Sequence, residues 1–161
     1  MRLSEYTDYS LRVLMYCAAR RGQLVTIGEI AEHHGLSKNH LMKVVNDLAR
    51  QGLLATTRGR GGGLQLLPEP ADVRIGDVVR ASETDFRLVE CFDAATNACG
   101  LAPDCRLKHL LDEALQACLR TLDGATLADL VGPPLAASAG PASPAPAAVA
   151  WPAPRRARRP A

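Results

Sequence analysis

Three cysteines fall within fifteen residues, Cys91, Cys99 and Cys105, in the pattern Cys-x7-Cys-x5-Cys. Thiolates are soft ligands, and several of them on one loop select zinc, copper(I) or an iron–sulfur cluster. The pattern lacks the tight Cys-x2-Cys pairs of zinc ribbons and of ferredoxin runs. An irregular loop can still fold around one centre. Three thiolates then leave one tetrahedral position for a ligand of another type. The other two cysteines, Cys17 and Cys118, sit on apolar helical faces, where a single cysteine serves as a small hydrophobe. An odd total of five argues against a disulfide framework. A thiol-redox enzyme would need a low-pKa cysteine beside a resolving partner, a base and a substrate pocket. Nothing else in the sequence supplies a base or a pocket, so the reading is not an enzyme.

A second set of residues has the chemistry to read nucleic acid. Ser37, Lys38, Asn39, His40 and Lys43 cluster at the start of a helical pattern, followed by Asn46 and Arg50. Lysine donates to guanine and asparagine pairs bidentately with adenine in the major groove. Arg58 and Arg60 flank a glycine in the run Arg58-Gly59-Arg60-Gly61-Gly62-Gly63, which suits phosphates or a narrow minor groove. Residues 36–60 net +4. A glycine-rich loop can also cradle a nucleotide phosphate, but no Lys-Ser/Thr pair follows and no strand–loop–helix frames it.

The elements that must position these residues are legible. Thr7 reads as an N-cap, with Leu11, Leu14, Met15 and Ala18 on one face of a first helix that Gly22 ends. Thr26 with Glu29 is a capping box for a short second helix, stopped by Gly35. Ser37 caps a third, with Leu41, Val44, Val45 and Leu48 facing inward and Gly52 at its end. Helix, tight turn, helix is the helix-turn-helix layout. Two apolar runs around the glycine-rich tip, within 53–67, form a β-hairpin. A hairpin directly after the recognition helix makes a winged helix. Ile75, Val78 and Val79 mark a further short helix. A long one runs from about Asp104 to Leu122, with Leu107, Leu111, Ala114, Cys118 and Leu122 in a near-heptad stripe widened by Leu110, Leu115 and Leu119. So long an apolar stripe calls for a partner helix, as in a homodimer. Thr126 caps a final turn over 127–131. The fold class is mainly α with a small β-hairpin wing.

The chain of 161 residues has a net charge of only +2, but the average hides a basic–acidic–basic layout. Residues 1–70 net +3, residues 71–131 net −5 and residues 132–161 net +4. Three regions follow: a DNA-binding domain over 1–82, a cysteine-loop and dimerisation region over 83–131, and a Pro/Ala-rich disordered tail over 132–161. The tail holds Trp151 and the cluster Arg155, Arg156, Arg158 and Arg159. No apolar run reaches 18 residues, and the N-terminus lacks a signal-peptide pattern, so the expected compartment is the cytoplasm.

Residues 1–131 resemble the winged-helix iron–sulfur transcription regulators, the family that includes the nitric-oxide-sensing NsrR repressors and the cluster-biogenesis regulator IscR. The segments that carry the resemblance are Met1-Arg2-Leu3, Thr7-Asp8-Tyr9 with Leu11-Arg12, Ile30-Ala31, Ser37-Lys38-Asn39-His40-Leu41, Lys43, Arg58-Gly59, Gly62-Gly63 and the three loop cysteines. The combination is specific, though no single segment is.

The resemblance implies a homodimeric repressor on a palindromic double-stranded DNA operator. It would hold one cluster per subunit through Cys91, Cys99 and Cys105, as 4Fe–4S or alternatively 2Fe–2S. In the nitric-oxide-sensing branch a carboxylate from the other subunit's first helix completes the set, and Asp8 matches it. In the biogenesis branch a histidine follows the third cysteine. His109 lies four residues beyond Cys105, where that pattern has three. Thr7-Asp8-Tyr9 and Asn39-His40 favour Asp8, and with it a repressor that leaves its operator on meeting nitric oxide. The alternative is a regulator of cluster supply or redox state on the same fold. A structural zinc site in a DNA-binding protein is a third reading. The seven-residue spacer between Cys91 and Cys99 is longer than the family's usual one.

Overall fold

The computed structural model describes residues 2–101 and 105–132. Helix α1 spans Glu5–Ala19 and begins earlier than the sequence suggests. Its N-cap is Ser4, not Thr7: the Ser4 hydroxyl accepts the Thr7 amide at 3.2 Å. Thr7 is fully buried instead, and its hydroxyl donates to Ser82 at 2.9 Å. A threonine one turn inside a helix can pass for its cap because both positions reward a locally bonding hydroxyl.

Helix α2, Ile27–His34, opens on the expected Thr26/Glu29 capping box and closes at Gly35, whose φ of +64° suits glycine. Helix α3, Lys38–Arg50, follows at once from Ser37, whose extended backbone caps without a side-chain bond. Strands β1, Leu54–Thr57, and β2, Gly63–Leu66, pair antiparallel in the register Leu54 to Leu66 and Thr57 to Gly63. A third segment joins this wing: Val25 exchanges backbone bonds with Leu64 at 3.0 and 2.7 Å. That pairing explains Gly63, where a Cβ would lie 2.8 Å from the Val25 carbonyl oxygen.

Helix α4, Ile75–Ser82, packs on α1. Helix α5, Arg106–Asp123, starts after Cys105 rather than at Asp104, which lies outside the described residues. Its far end is fastened to α4. Arg80 donates to both oxygens of Asp123 at 2.5 and 2.6 Å, and that carboxylate lies over Gly76, where any Cβ would collide with it. Helix α6, Leu127–Val131, carries the Thr126/Asp129 capping box and returns to α1. Leu127 donates to the Val73 carbonyl at 2.8 Å and is fully buried.

One core joins these elements: Val13 and Leu14 of α1, Ile30 of α2, Leu41, Val44, Val45 and Leu48 of α3, Leu54 and Leu127. Each such side chain contributes about 1.5–3 kcal/mol by leaving water. Helix α5 differs. Leu115 is its buried residue, while Leu107 and Leu110 are 59% and 62% exposed. The architecture is the expected winged helix-turn-helix with a long additional helix. No described helix is long and apolar enough to cross a membrane. The Pro/Ala-rich tail lies outside the described residues from Pro133 on.

Candidate nucleic-acid interface and cysteine loop

Burying four aliphatic side chains on one face of α3 leaves the opposite face to solvent. Ser37, Lys38, Asn39, His40, Lys43 and Asn46 are all exposed there. Arg58 and Arg60 are exposed at the wing tip, where Gly59 and Gly61 take positive φ angles of 99° and 81° and so turn the chain tightly. Asn46, Thr57 and Arg58 line one groove between α3 and the wing. Seven candidate DNA contacts from the sequence thus lie on one open, basic surface with no acid among them.

Helix α1 is tied to this surface by contacts with no local sequence signature. The Tyr6 hydroxyl donates to Oδ2 of Asp47 on α3 at 2.7 Å, and Asp47 also pairs with Arg50. Burial, then the bond to Asp47, pushes the Tyr6 phenol up to about 12. One turn along, Tyr9 stacks on His40 with ring centroids 6.5 Å apart and planes 23° apart. Between these two tyrosines lies Asp8. Its carboxylate accepts from Arg12 in a fork, at 3.0 Å from Nε and 2.8 Å from Nη2. The bidentate form makes this stronger than an ordinary surface pair.

The cysteines are distributed along a partly exposed segment. Cys91 is buried in a 3-10 turn, Glu90–Phe92. Cys99 is half-buried, and Cys105 is half-buried at the N-cap of α5. All five thiols are free. Among the described residues, no three His, Cys, Asp or Glu side chains converge on a metal position. The single chain therefore does not bring Cys91, Cys99, Cys105 and Asp8 together. Their chemistry nonetheless fits a cluster: three unpaired sulfurs on one segment, and a carboxylate on α1 that is 46% exposed and open to a second chain. His109 is exposed one turn after Cys105, with its amide 3.4 Å from the Cys105 carbonyl oxygen. Cys17 is core filler as expected, and burial pushes its thiol up to about 11. Cys118 is only half-buried and lines a cavity with Leu3, Phe86, Leu115 and Leu119.

Comparison with known proteins converges. A family profile, Rrf2, described as an iron-dependent transcriptional regulator, matches residues 3–133. The HTH-type transcriptional regulator NsrR of Bacillus subtilis (strain 168) is 56% identical over 132 residues, covering 81% of this chain and 90% of that protein. The NsrR regulator of Bacillus licheniformis is 49% identical over 132 residues, covering 81% and 92%. Among solved structures, CymR, the global cysteine regulator of B. subtilis, gives a TM-score of 0.65 at 26% identity, covering 81% of this chain and 96% of its own. IscR of T. potens gives 0.64 at 26% identity, covering 81% and 86%.

Proposed function

The chain belongs to the Rrf2 family of transcriptional regulators, as an NsrR-like DNA-binding regulator rather than an enzyme, and from that premise we propose that it is a homodimeric repressor that senses nitric oxide through an iron–sulfur cluster. Cys91, Cys99 and Cys105 are the ligands from one subunit, and Asp8 of the partner subunit is the fourth. The cluster is of the 4Fe–4S type, and when bound it supplies iron that nitric oxide can ligate. Residues 1–82 grip DNA through Ser37, Lys38, Asn39, His40, Lys43, Arg58 and Arg60. Residues 83–131 hold the cluster and dimerise, with α6 returning to the winged domain. The place of action is the cytoplasm.

The observation that carries this reading is that Asp8 lies on the helix whose Tyr6 is hydrogen-bonded to the recognition helix at 2.7 Å. Arg12 gives Asp8 a second resting place in its own chain. Helix α1 thus has two settings: Asp8 turned to the partner's cysteine loop, or Asp8 folded onto Arg12. Tyr6 and Tyr9 pass the setting to Asp47 and His40. In a dimer the two α3 helices must sit about 34 Å apart, one DNA turn, to meet a palindromic operator. A small swing of α1 takes them off that spacing. A coupling of about 1–3 kcal/mol changes operator affinity roughly 5–150-fold.

Iron, sulfide and zinc analysis of the anaerobically purified chain tests the cofactor. Iron with equivalent sulfide and a visible absorbance is expected, and zinc without iron would contradict it. Asp8→Ala is expected to leave a labile cluster. If His109→Ala has that effect instead, the regulator answers to cluster supply. The place of His109 one turn from Cys105 is what favours that second reading.

A further inference from the structure

The spacer between Cys91 and Cys99 is seven residues long, yet side chains fold it into a fixed turn. Asp93 Oδ1 accepts the Ala95 amide at 2.9 Å. Glu90 Oε1 accepts the Ala98 amide at 2.9 Å. Asn97 Oδ1 accepts the Cys99 amide at 2.9 Å. The backbone just before the Cys99 sulfur is therefore held by Glu90 and Asn97, both of which precede it.

Arg87 ties this turn to the chain that precedes it. Its Nε donates to both oxygens of Asp85 at 2.9 and 2.8 Å, and its Nη2 lies 2.7 Å from Asp85 Oδ2. Its Nη1 donates to Asp93 Oδ2 at 2.5 Å. One planar guanidinium thus bridges carboxylates on either side of Cys91. A lysine ammonium is a point donor and cannot hold both in this fork. The Asp93 carboxyl is held below the usual carboxylate range by the Ala95 amide first, with Thr96 and Arg87 adding to it.

We propose that Arg87 is a positioning residue of the cysteine loop. By bridging Asp85 and Asp93 it fixes the turn that sets Cys99 relative to Cys91, and so governs how firmly the loop retains its cluster. The first part stands on the hydrogen bonds alone, and the second rests on the cluster reading. An exposed ion pair adds little to global stability. Its effect falls instead on local opening of the segment it closes.

The test uses the full chain with Arg87→Gln, Arg87→Lys and Asp93→Asn. In the metal-free protein, amide hydrogen exchange at Ala98 and Cys99 is expected to quicken about fivefold in all three, with the core amides of α1 and α3 unmoved. The thermal midpoint stays at the wild-type value, which separates positioning from a structural role. In the anaerobic cluster-loaded protein, absorbance is lost to a chelator several-fold faster in each variant than in the wild type. Wild-type exchange at Ala98 and Cys99 in Arg87→Gln would overturn the proposal. Faster exchange with unchanged cluster loss would overturn its second part. A wild-type chain that takes up no cluster would contradict the cluster reading, and the exchange measurement would still decide on Arg87.

Discussion

The hydroxyl of Tyr6 on α1 donates to Asp47 on the recognition helix at 2.7 Å, across 41 residues of sequence. Asp8, two residues from Tyr6, is the proposed ligand, and Asp47 lies one turn from the exposed Lys43, a proposed DNA contact. A partly buried hydrogen bond of this kind contributes about 1 kcal/mol. Tyr6→Phe is therefore expected to lower operator affinity about fivefold, measured by fluorescence anisotropy at fixed salt. Asp47→Ala should have a similar effect, and the double variant no more than either. Additive losses would mean that the two residues act separately.

The wing and the recognition helix should fail in different ways. Arg58→Ala and Arg60→Ala would remove the proposed phosphate contacts of the wing tip. Each is expected to weaken binding to all sequences and to reduce the slope of log affinity against log salt by about 1. Asn39→Ala would remove a proposed base reader, with an expected cost of about 1–3 kcal/mol at one base pair and relaxed specificity there. A sequence-specific loss in the arginine variants, or a uniform one in Asn39→Ala, would reverse these assignments.

Leu107 and Leu110 project from α5 into solvent, 59% and 62% exposed. Burial against a second copy would contribute about 1.5–3 kcal/mol for each leucine. In sedimentation velocity the wild type is expected as a dimer. Leu107→Glu/Leu110→Glu should be a monomer with wild-type circular dichroism. A double variant that still sediments as a dimer would place the interface elsewhere.

His34 brings a pH dependence. Its Nε2 is buried with no hydrogen-bond partner among the described residues. Burial first, then the charges of His33, Arg12 and Arg20, lower its pKa, with Asp8 opposing them. The folded state therefore favours neutral His34. Above the ordinary imidazole value of about 6.5 both states are neutral there and stability is intact. As pH falls below it, the unfolded chain binds the proton first and stability drops. His34→Gln is expected to flatten the decline in thermal midpoint between about pH 7 and pH 5. An unchanged slope would show that His34 has no part in it.

The parts of the fold that were legible are those set by neighbours in sequence. The Thr26/Glu29 box, the Gly35 stop and the inward stripe of α3 all depend on residues within one turn of each other. The cap of α1 was misplaced because Thr7 offers the same hydroxyl as Ser4 but turns it to Ser82, 75 residues away. Val25 joining the wing was invisible for the same reason, since nothing within its own segment specifies Leu64 as partner. At the candidate interface, the exposure of Lys38 and Asn39 was readable from helical phase, and that of Arg58 and Arg60 from the glycine-rich tip. The Tyr6–Asp47 bond and the Arg87 bridge were not, because a tertiary contact leaves no periodicity. Two tyrosines one turn apart on α1, Tyr6 and Tyr9, were the available hint.

The most direct test of sensing is one anaerobic titration of the purified chain with nitric oxide, following visible absorbance and operator binding in the same samples. Absorbance should change and operator affinity fall together, by tenfold or more at about 1.4 kcal/mol of coupling. Absorbance that bleaches while operator affinity stays unchanged would contradict the link between the cysteine loop, Asp8 and the recognition helix.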